Sequence, residues 1–215
     1  MSDLAYHIEE LRIALSPNDP RRILPPVHAG HRRVLDVGCG AGQTLAAGVA
    51  AEGRECFGID IDHSALALGR TFSSELRLAC GSGEALPFRS ASFDLVISRV
   101  SLPFMHVAAA LGEMARVLRP GGEVWLTLHP VTMPIAQLWH ALRRGQFKNA
   151  AFRSFVIANG VAMHLTGHQF RAPAGRIRWE SFQTRYSITR ALRRAGFGRI
   201  SVVRDGHFVA TGVRG

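Results

Sequence analysis

Glycine occupies every second position of Asp36-Val37-Gly38-Cys39-Gly40-Ala41-Gly42, between the apolar segment RVLDVG that starts at Arg33 and the helix-like TLAAGVAAEG that starts at Thr44. A buried strand that ends near an acid and turns through alternating glycines into a helix is the βα corner of an open α/β sheet. Glycine reaches positive φ and has no Cβ, so a ligand can approach this backbone closely. The helix N-terminus beyond it presents unpaired N–H groups.

The chain around this corner alternates between strand and helix patterns. ECFGID at 55–60 reads as a second strand, SALALGRTF at 64–72 as a helix, RLACG at 77–81 as a short third strand and FDLVISR at 93–99 as a central fourth strand. AAALGEMARVL at 108–118 is a helix stopped by RPGG, and EVWLTLH at 123–129 is a fifth strand. Near the end, SITRALRRAGF is an amphipathic helix, and RISVVRDGHFVATGV holds two strands around Asp205-Gly206, a strong hairpin signal. This order predicts an α/β fold, a doubly wound, Rossmann-like sheet of seven mostly parallel strands that closes with a C-terminal antiparallel hairpin.

Between these regular parts lie residues 131–185, with helical pieces at 134–144 and 150–158 and a Gly-, Pro- and Arg-rich stretch at 166–178. They read as an inserted cap or substrate region. Residues 1–30 read as a helix over 3–15 and a Pro-rich linker, 31–130 as the ligand-binding core, and 186–215 as the helix and hairpin that complete the sheet.

Of 215 residues, 47% are apolar and 20% charged, enough to bury a full core. No apolar run is long enough to span a bilayer and the N-terminus lacks a signal-peptide pattern. Cys39, Cys56 and Cys80 match neither a zinc site nor a redox pair, which suits a reducing cytoplasm. The net charge of +10 is uneven: residues 1–130 hold 12 Arg against 14 acids, and residues 131–215 hold 14 Lys and Arg against 2 acids. The basic part could serve acidic substrates or nucleic acid, but 25 of the 26 basic residues are Arg, a bias that genome composition also produces.

The glycine spacing is GxGxG, whereas the dinucleotide fingerprint is GxGxxG, and Asp36 would sit badly beside a pyrophosphate. An amino acid joined to a sulfonium suits it better. Asp60, 22 positions after Gly38, stands where a doubly wound fold places an acid that accepts from ribose hydroxyls, although it could also cap a helix. Asp62 comes two residues too late for the ribose and, like Ser64, can cap the next helix.

VLDVGCGAG, GIDID, GSGEALPF, SFDLVIS and RVLRPGG, in this order over 33–129, resemble the class I S-adenosylmethionine-dependent methyltransferases of the small-molecule, type 11-like kind. The resemblance implies that Asp36, Gly38, Cys39, Gly40 and Gly42 line the methionine and ribose end of S-adenosylmethionine. It implies that Asp60 and Ile61 meet the ribose and its surroundings, Ser82, Gly83 and Glu84 the adenine, and that Ser98 and Arg99 follow the fourth strand beside the cofactor. S-adenosylhomocysteine would be the product. Where the family usually has an adenine-binding Asp in a GDAE-like turn, this chain has Ser82, whose hydroxyl accepts without charge assistance.

The acceptor end is less legible. Transfer from a sulfonium is an in-line displacement that needs alignment and exclusion of water more than a dedicated base. The Asn-Pro-Pro-Tyr-type motif of DNA and protein amide methyltransferases is absent after the fourth strand, where Ser98-Arg99-Val100-Ser101-Leu102-Pro103 stands. His129, at the end of the fifth strand, could orient an acceptor or take its proton, though a lone His there is more often structural. His164, His168, Arg171, Arg176 and Arg178 could bind an anionic acceptor or form a solvated loop. His164 and His168 at i, i+4 lack a third ligand, and no metal is expected. Trp125, Trp139 and Trp179 read as packing, with Trp179 beside Arg178 the one to watch. The leading reading is methylation of a small, anionic or apolar molecule; an RNA methyltransferase and a cofactor-binding protein without turnover are the alternatives. Oligomeric state is not legible.

Overall fold

The computed structural model describes residues 3–50, 53–73, 75–172 and 179–215. Alternation in the strand sequences sorts their side chains to two faces of one sheet. In β1 (Arg33–Val37) Val34 points to one face and Leu35 and Val37 to the other; in β4 (Phe93–Arg99) Leu95 and Ile97 face opposite to Val96. Both faces are therefore buried, as a parallel sheet between helices requires. One core gathers Val34, Leu45, Leu66, Leu78, Leu95, Ile97 and Trp125; the larger one gathers Leu35, Val96, Leu111, Met114, Leu126, Ile188 and Leu192.

The remaining strands are β2 (Glu55–Asp60), β3 (Arg77–Cys80), β5 (Leu118–Thr127), β6 (Phe197–Asp205) and β7 (His207–Arg214). The order is β3-β2-β1-β4-β5-β7-β6, with β7 antiparallel to both neighbours and the other pairs parallel. The expected seven-stranded sheet and its closing hairpin are present, with Gly206 turning at φ +65°. The order reverses between β1 and β4, and such a switch point opens a crevice at the carboxyl ends of the strands.

Helices α1 (Asp3–Leu15), α2 (His63–Phe72), α3 (Val107–Val117), α4 (Thr132–Arg143), α5 (Phe147–Thr166) and α6 (Arg185–Arg194) complete the fold. Three segments differ from the sequence expectation. Instead of a helix over 44–53 there is one wide turn, Leu45–Val49, closed by Ala50 N donating to Leu45 O at 2.8 Å. Gly48 weakens helix there, and linker residue Leu24 fills the space a Cβ would need, 2.5 Å from its Cδ1. Ala51 and Glu52 of that expected helix lie outside the described residues.

Helix α5 runs well past the expected end at 158, and at Gly160 Phe182 lies against the helix; a Cβ there would meet the ring at 2.3 Å. The helix stops at Gly167, φ +83°. Strand β5 begins earlier than Glu123: Leu118 already pairs with Phe93, then Arg119-Pro120-Gly121-Gly122 loops out before Glu123 pairs with Leu95.

Several guanidiniums of the basic C-terminal part bond within the fold. Arg185 donates to Val202 O at 2.6 Å, Arg190 to Met163 O at 2.5 Å, Arg214 to Leu118 O, and Arg153 pairs with Glu180 at 2.7 Å. Their charge is thus partly structural. The three cysteines are free, and among the described residues no helix is long and apolar enough to cross a membrane.

Candidate functional site

The crevice at the switch point is a cavity of about 700 Å³, joined by shared residues to a smaller one of about 150 Å³. The corner after β1 forms its floor. Gly38, Gly40 and Gly42 have φ of +76°, +55° and +75°, the left-handed conformation that glycine adopts without strain. Gly38 N and Cys39 N both donate to Ile59 O, at 2.8 and 3.1 Å, which stitches this corner to β2.

Asp60 closes β2 beside that loop. Its Oδ2 accepts from Gly40 N at 2.8 Å and its Oδ1 from Asp62 N at 2.9 Å. Asp60 lines the cavity, and each of its oxygens has capacity to accept a further hydrogen bond. Asp62 caps α2, accepting from Ser64 N at 2.9 Å and Ala65 N at 3.4 Å.

Asp36 lies behind the loop, fully buried, and among the described residues neither carboxylate oxygen has a hydrogen-bond partner. Burial pushes its carboxyl up to about 7, against the opposing pull of the Arg99 guanidinium and with the help of the Asp60 charge. A buried acid without donors is costly to keep ionised, and a cationic ligand group would supply what the fold does not.

Arg99, at the end of β4, donates to Thr44 Oγ1 at 3.1 Å and to Glu10 Oε2 at 2.6 Å. That pair ties α1 over the glycine loop. His7 follows one turn earlier on α1: its Nε2 is 3.5 Å from Asp62 Oδ2, and its ring lies so near the loop that a Cβ on Gly40 would be 3.0 Å from Nδ1. The next residue after β4, Val100, holds φ +61°, an outlier for a β-branched side chain. It is held by its N–H on Thr127 Oγ1 (2.9 Å) and Thr127 O (3.2 Å). Ser101 Oγ donates to Val37 O at 2.7 Å, so Ser98 Oγ donates to Ser101 across 2.6 Å.

Of the residues singled out in the sequence, Gly38, Asp60, Ile61, Ser82, Gly83 and Glu84 line the large cavity, and Gly40 and Arg99 line the smaller one. Asp36, Cys39, Gly42 and Ser98 stand behind this lining. The Cys39 thiol points into the core toward Gly58, and burial raises its pKa well above the ordinary thiol value. Ser82 Oγ accepts from Glu84 N at 3.1 Å, and Glu84 Oε1 accepts from His106 N at 2.8 Å.

His129 lies in a separate small pocket with Glu180 and Phe182, its ring edge-on to Phe104 at 5.1 Å. Phe104 itself lines the large cavity. Burial, then the Arg153 charge, lowers the His129 pKa to about 4, so the ring is neutral at neutral pH. His164 Nδ1 is engaged with Thr184 Oγ1 at 2.8 Å. Arg171 and Trp179 line the large cavity, whereas Arg176 and Arg178 lie outside the described residues.

Sequence reasoning missed His7 and Glu10, which reach the site from α1, and Phe104 and Met105, which line it after β4. The spacing of His7 and Glu10 at i, i+3 marks one helix face, but nothing local says what that face covers.

Residues 35–126 match the family model described as methyltransferase domain. The methyltransferase YcgJ of Bacillus subtilis is 36% identical over 103 residues, covering 45% of this chain and 40% of that protein. Nocamycin O-methyltransferase of Saccharothrix syringae is 33% identical over 186 residues, covering 80% and 61%. The chain spans less than two thirds of the first curated relatives it matches, from 22% to 61% of their length. Among solved structures, an S-adenosylmethionine dependent methyltransferase from Mesorhizobium loti superposes with a TM-score of 0.59 at 18% identity, over 88% of this chain and 94% of that one. The structure of YcgJ gives 0.56 at 17% identity, over 86% and 92%. At these identities the likeness is one of fold.

Proposed function

We propose, from the match of residues 35–126 to the methyltransferase-domain model, that the protein binds S-adenosylmethionine in the switch-point cavity and methylates a small molecule held beneath residues 131–185. The observation that carries this reading is the pair of acids around one glycine loop, Asp60 bonded to Gly40 N and Asp36 buried without a donor. A pyrophosphate would be repelled there; a sulfonium with an α-amino group is attracted.

Bound there, the cofactor supplies a methyl group activated by positive sulfur. Asp60 accepts from the ribose hydroxyls, Ile61 and Ser82-Gly83-Glu84 flank the adenine, and Gly38 and Gly40 give the methionine end room against the backbone, with Asp36 setting the local charge. Cys39, Gly42 and Ser98 support this loop from behind. Phe104, Met105 and Trp179 give the acceptor an apolar wall that excludes water, and Arg171 is the guanidinium of that lining, suited to an anionic group. A bound sulfonium would need its acceptor held in line with it, and that alignment would be this chain's main contribution. His129, behind Phe104, acts through the placement of that ring. Three free cysteines, Cys80 exposed among them, suit work in the reducing cytoplasm.

Incubation with S-adenosylmethionine labelled in its methyl group and a panel of carboxylates, phenols and amines tests the reading. The expected result is label transfer to one acceptor class, with S-adenosylhomocysteine formed in equal amount and both abolished by Asp60→Ala. Tight cofactor binding with no transfer to any acceptor would contradict the enzymatic reading.

A further inference from the structure

Helix α4 carries Ile135, Trp139 and Leu142 at i, i+4 and i+7, the spacing that puts three side chains on one helix face. An amphipathic helix of a globular protein turns such a stripe inward. Here it points outward: Ile135, Trp139 and Leu142 are about half exposed, and Phe147, at the start of α5, is 76% exposed. The side chains α4 buries are Pro134 and Ala141. Four large apolar groups within thirteen residues are left to water, and such a patch marks an interaction surface.

The charge around the stripe says what it meets. Arg143, Arg144 and Lys148 are exposed beside it, and the Arg143 guanidinium lies 4.8 Å from the centre of the Trp139 ring. Between Glu123 and Glu180 the sequence has seven Lys and Arg and no acid, where the chain's average of 16 acids in 215 residues would place about four. An arginine-rich composition can add bases to a segment, but it does not remove acids from it. Two copies meeting through this face would set Arg143, Arg144 and Lys148 against themselves, since a two-fold contact brings the same patch together.

We propose that the α4–α5 corner docks the protein on an anionic lipid bilayer. Ile135, Trp139, Leu142 and Phe147 enter the boundary between headgroups and acyl chains, where an indole ring finds both an apolar body and a polar edge satisfied. Arg143, Arg144 and Lys148 reach outward along their stems to the lipid phosphates. The proposal concerns the surface opposite in character to a polar helix face and does not depend on which cofactor fills the cavity.

Co-flotation of the full chain with extruded vesicles tests it, comparing phosphatidylcholine alone with phosphatidylcholine containing phosphatidylglycerol, at low and high salt. The expected result is flotation with the anionic vesicles, weakened by salt and much lower with the neutral ones. Trp139→Glu with Leu142→Glu is expected to lower that binding at least about tenfold, and Arg143→Glu with Arg144→Glu to remove the preference for anionic lipid. All four side chains are exposed, and an unchanged circular dichroism spectrum and thermal transition certify each variant as folded. Brominated lipid should quench the fluorescence of wild type more than that of Trp139→Phe. Wild type that ignores anionic vesicles, or a folded Trp139→Glu/Leu142→Glu variant that floats as wild type does, overturns the proposal. So does a dimer that light scattering finds in wild type and not in that variant, with no lipid binding.

Discussion

Arg99 at the end of β4 and Glu10 on α1 form an ion pair 2.6 Å long, with 10% and 18% of their side chains exposed, across 89 positions of sequence. It joins the leading helix to the strand that borders the glycine loop. Glu10→Ala removes the ion pair of the partly buried Arg99 guanidinium and leaves its hydrogen bond to Thr44 Oγ1. The expected loss is about 2 kcal/mol of unfolding free energy, together with weaker cofactor binding as α1 loosens. Urea denaturation and cofactor titration of the same variant check it; unchanged stability would show that the pair adds nothing net.

Asp36 makes the site pH-dependent in a direction opposite to ordinary carboxylates. Its folded pKa, about 7, stands above the unfolded value of 3.8. The unfolded chain therefore releases this proton first, and stability falls as pH rises from about 4 to about 7, then levels off. Asp36→Asn should flatten this limb when unfolding is followed between pH 4 and pH 8. A cationic cofactor favours the ionised form, so affinity should rise through pH 7 in wild type and lose that rise in the variant. Parallel pH profiles of the two proteins would contradict the assignment.

Two helix glycines predict opposite signs. A Cβ on Gly112 in α3 meets nothing within 4 Å among the described residues, and Gly112→Ala should stabilise by about 0.5–1 kcal/mol through helix propensity and unfolded-chain entropy. On Gly69 in α2 a Cβ would stand 2.5 Å from Ala41 O, main chain of the glycine loop. Gly69→Ala should destabilise by about 1–3 kcal/mol and weaken cofactor binding with it. Thermal melts of both variants decide; equal signs would mean that α2 does not rest on the loop as described.

His129 sets the acid side. Its pKa is lowered from 6.5 to about 4 by burial, so its contribution is present above 6.5 and is lost as pH falls from there toward 4. His129→Gln should shift this acid limb without changing stability at pH 8 by more than about 1–2 kcal/mol. Denaturation profiles between pH 4 and pH 8 measure it, and an unaltered limb would place the acid sensitivity elsewhere.

The sheet was legible because each βα corner carries its own local signal. RVLDVG, GIDID and FDLVISR are short apolar runs bounded by glycine or acid, and Asp205-Gly206 is local hairpin chemistry. The glycine loop and Asp60 were legible for the same reason, since a corner and the end of the next strand sit at a fixed spacing in this fold. What failed to show depended on packing between distant segments. The continuation of α5 beyond 158 packs Gly160 against the distant Phe182, and the turn at Leu45–Val49 packs Gly48 against Leu24. His7 and Glu10 join the site only because α1 folds back over the loop, and Phe104 and Met105 only because the chain after β4 turns toward the cavity. His129 follows a strand at the expected edge, yet its ring lies in a neighbouring pocket with Glu180 and Phe182 and edge-on to Phe104, residues distant from it in sequence.

Calorimetric titration of the purified protein with S-adenosylmethionine and S-adenosylhomocysteine, with NADH and ATP as controls and Asp60→Ala beside wild type, tests the cofactor assignment most directly. Micromolar binding of the two sulfur ligands, absent for NADH and ATP and lost in Asp60→Ala, is the expected result. Wild type that binds neither, or that binds NADH or ATP in their place, would contradict the reading of the acid-flanked glycine loop.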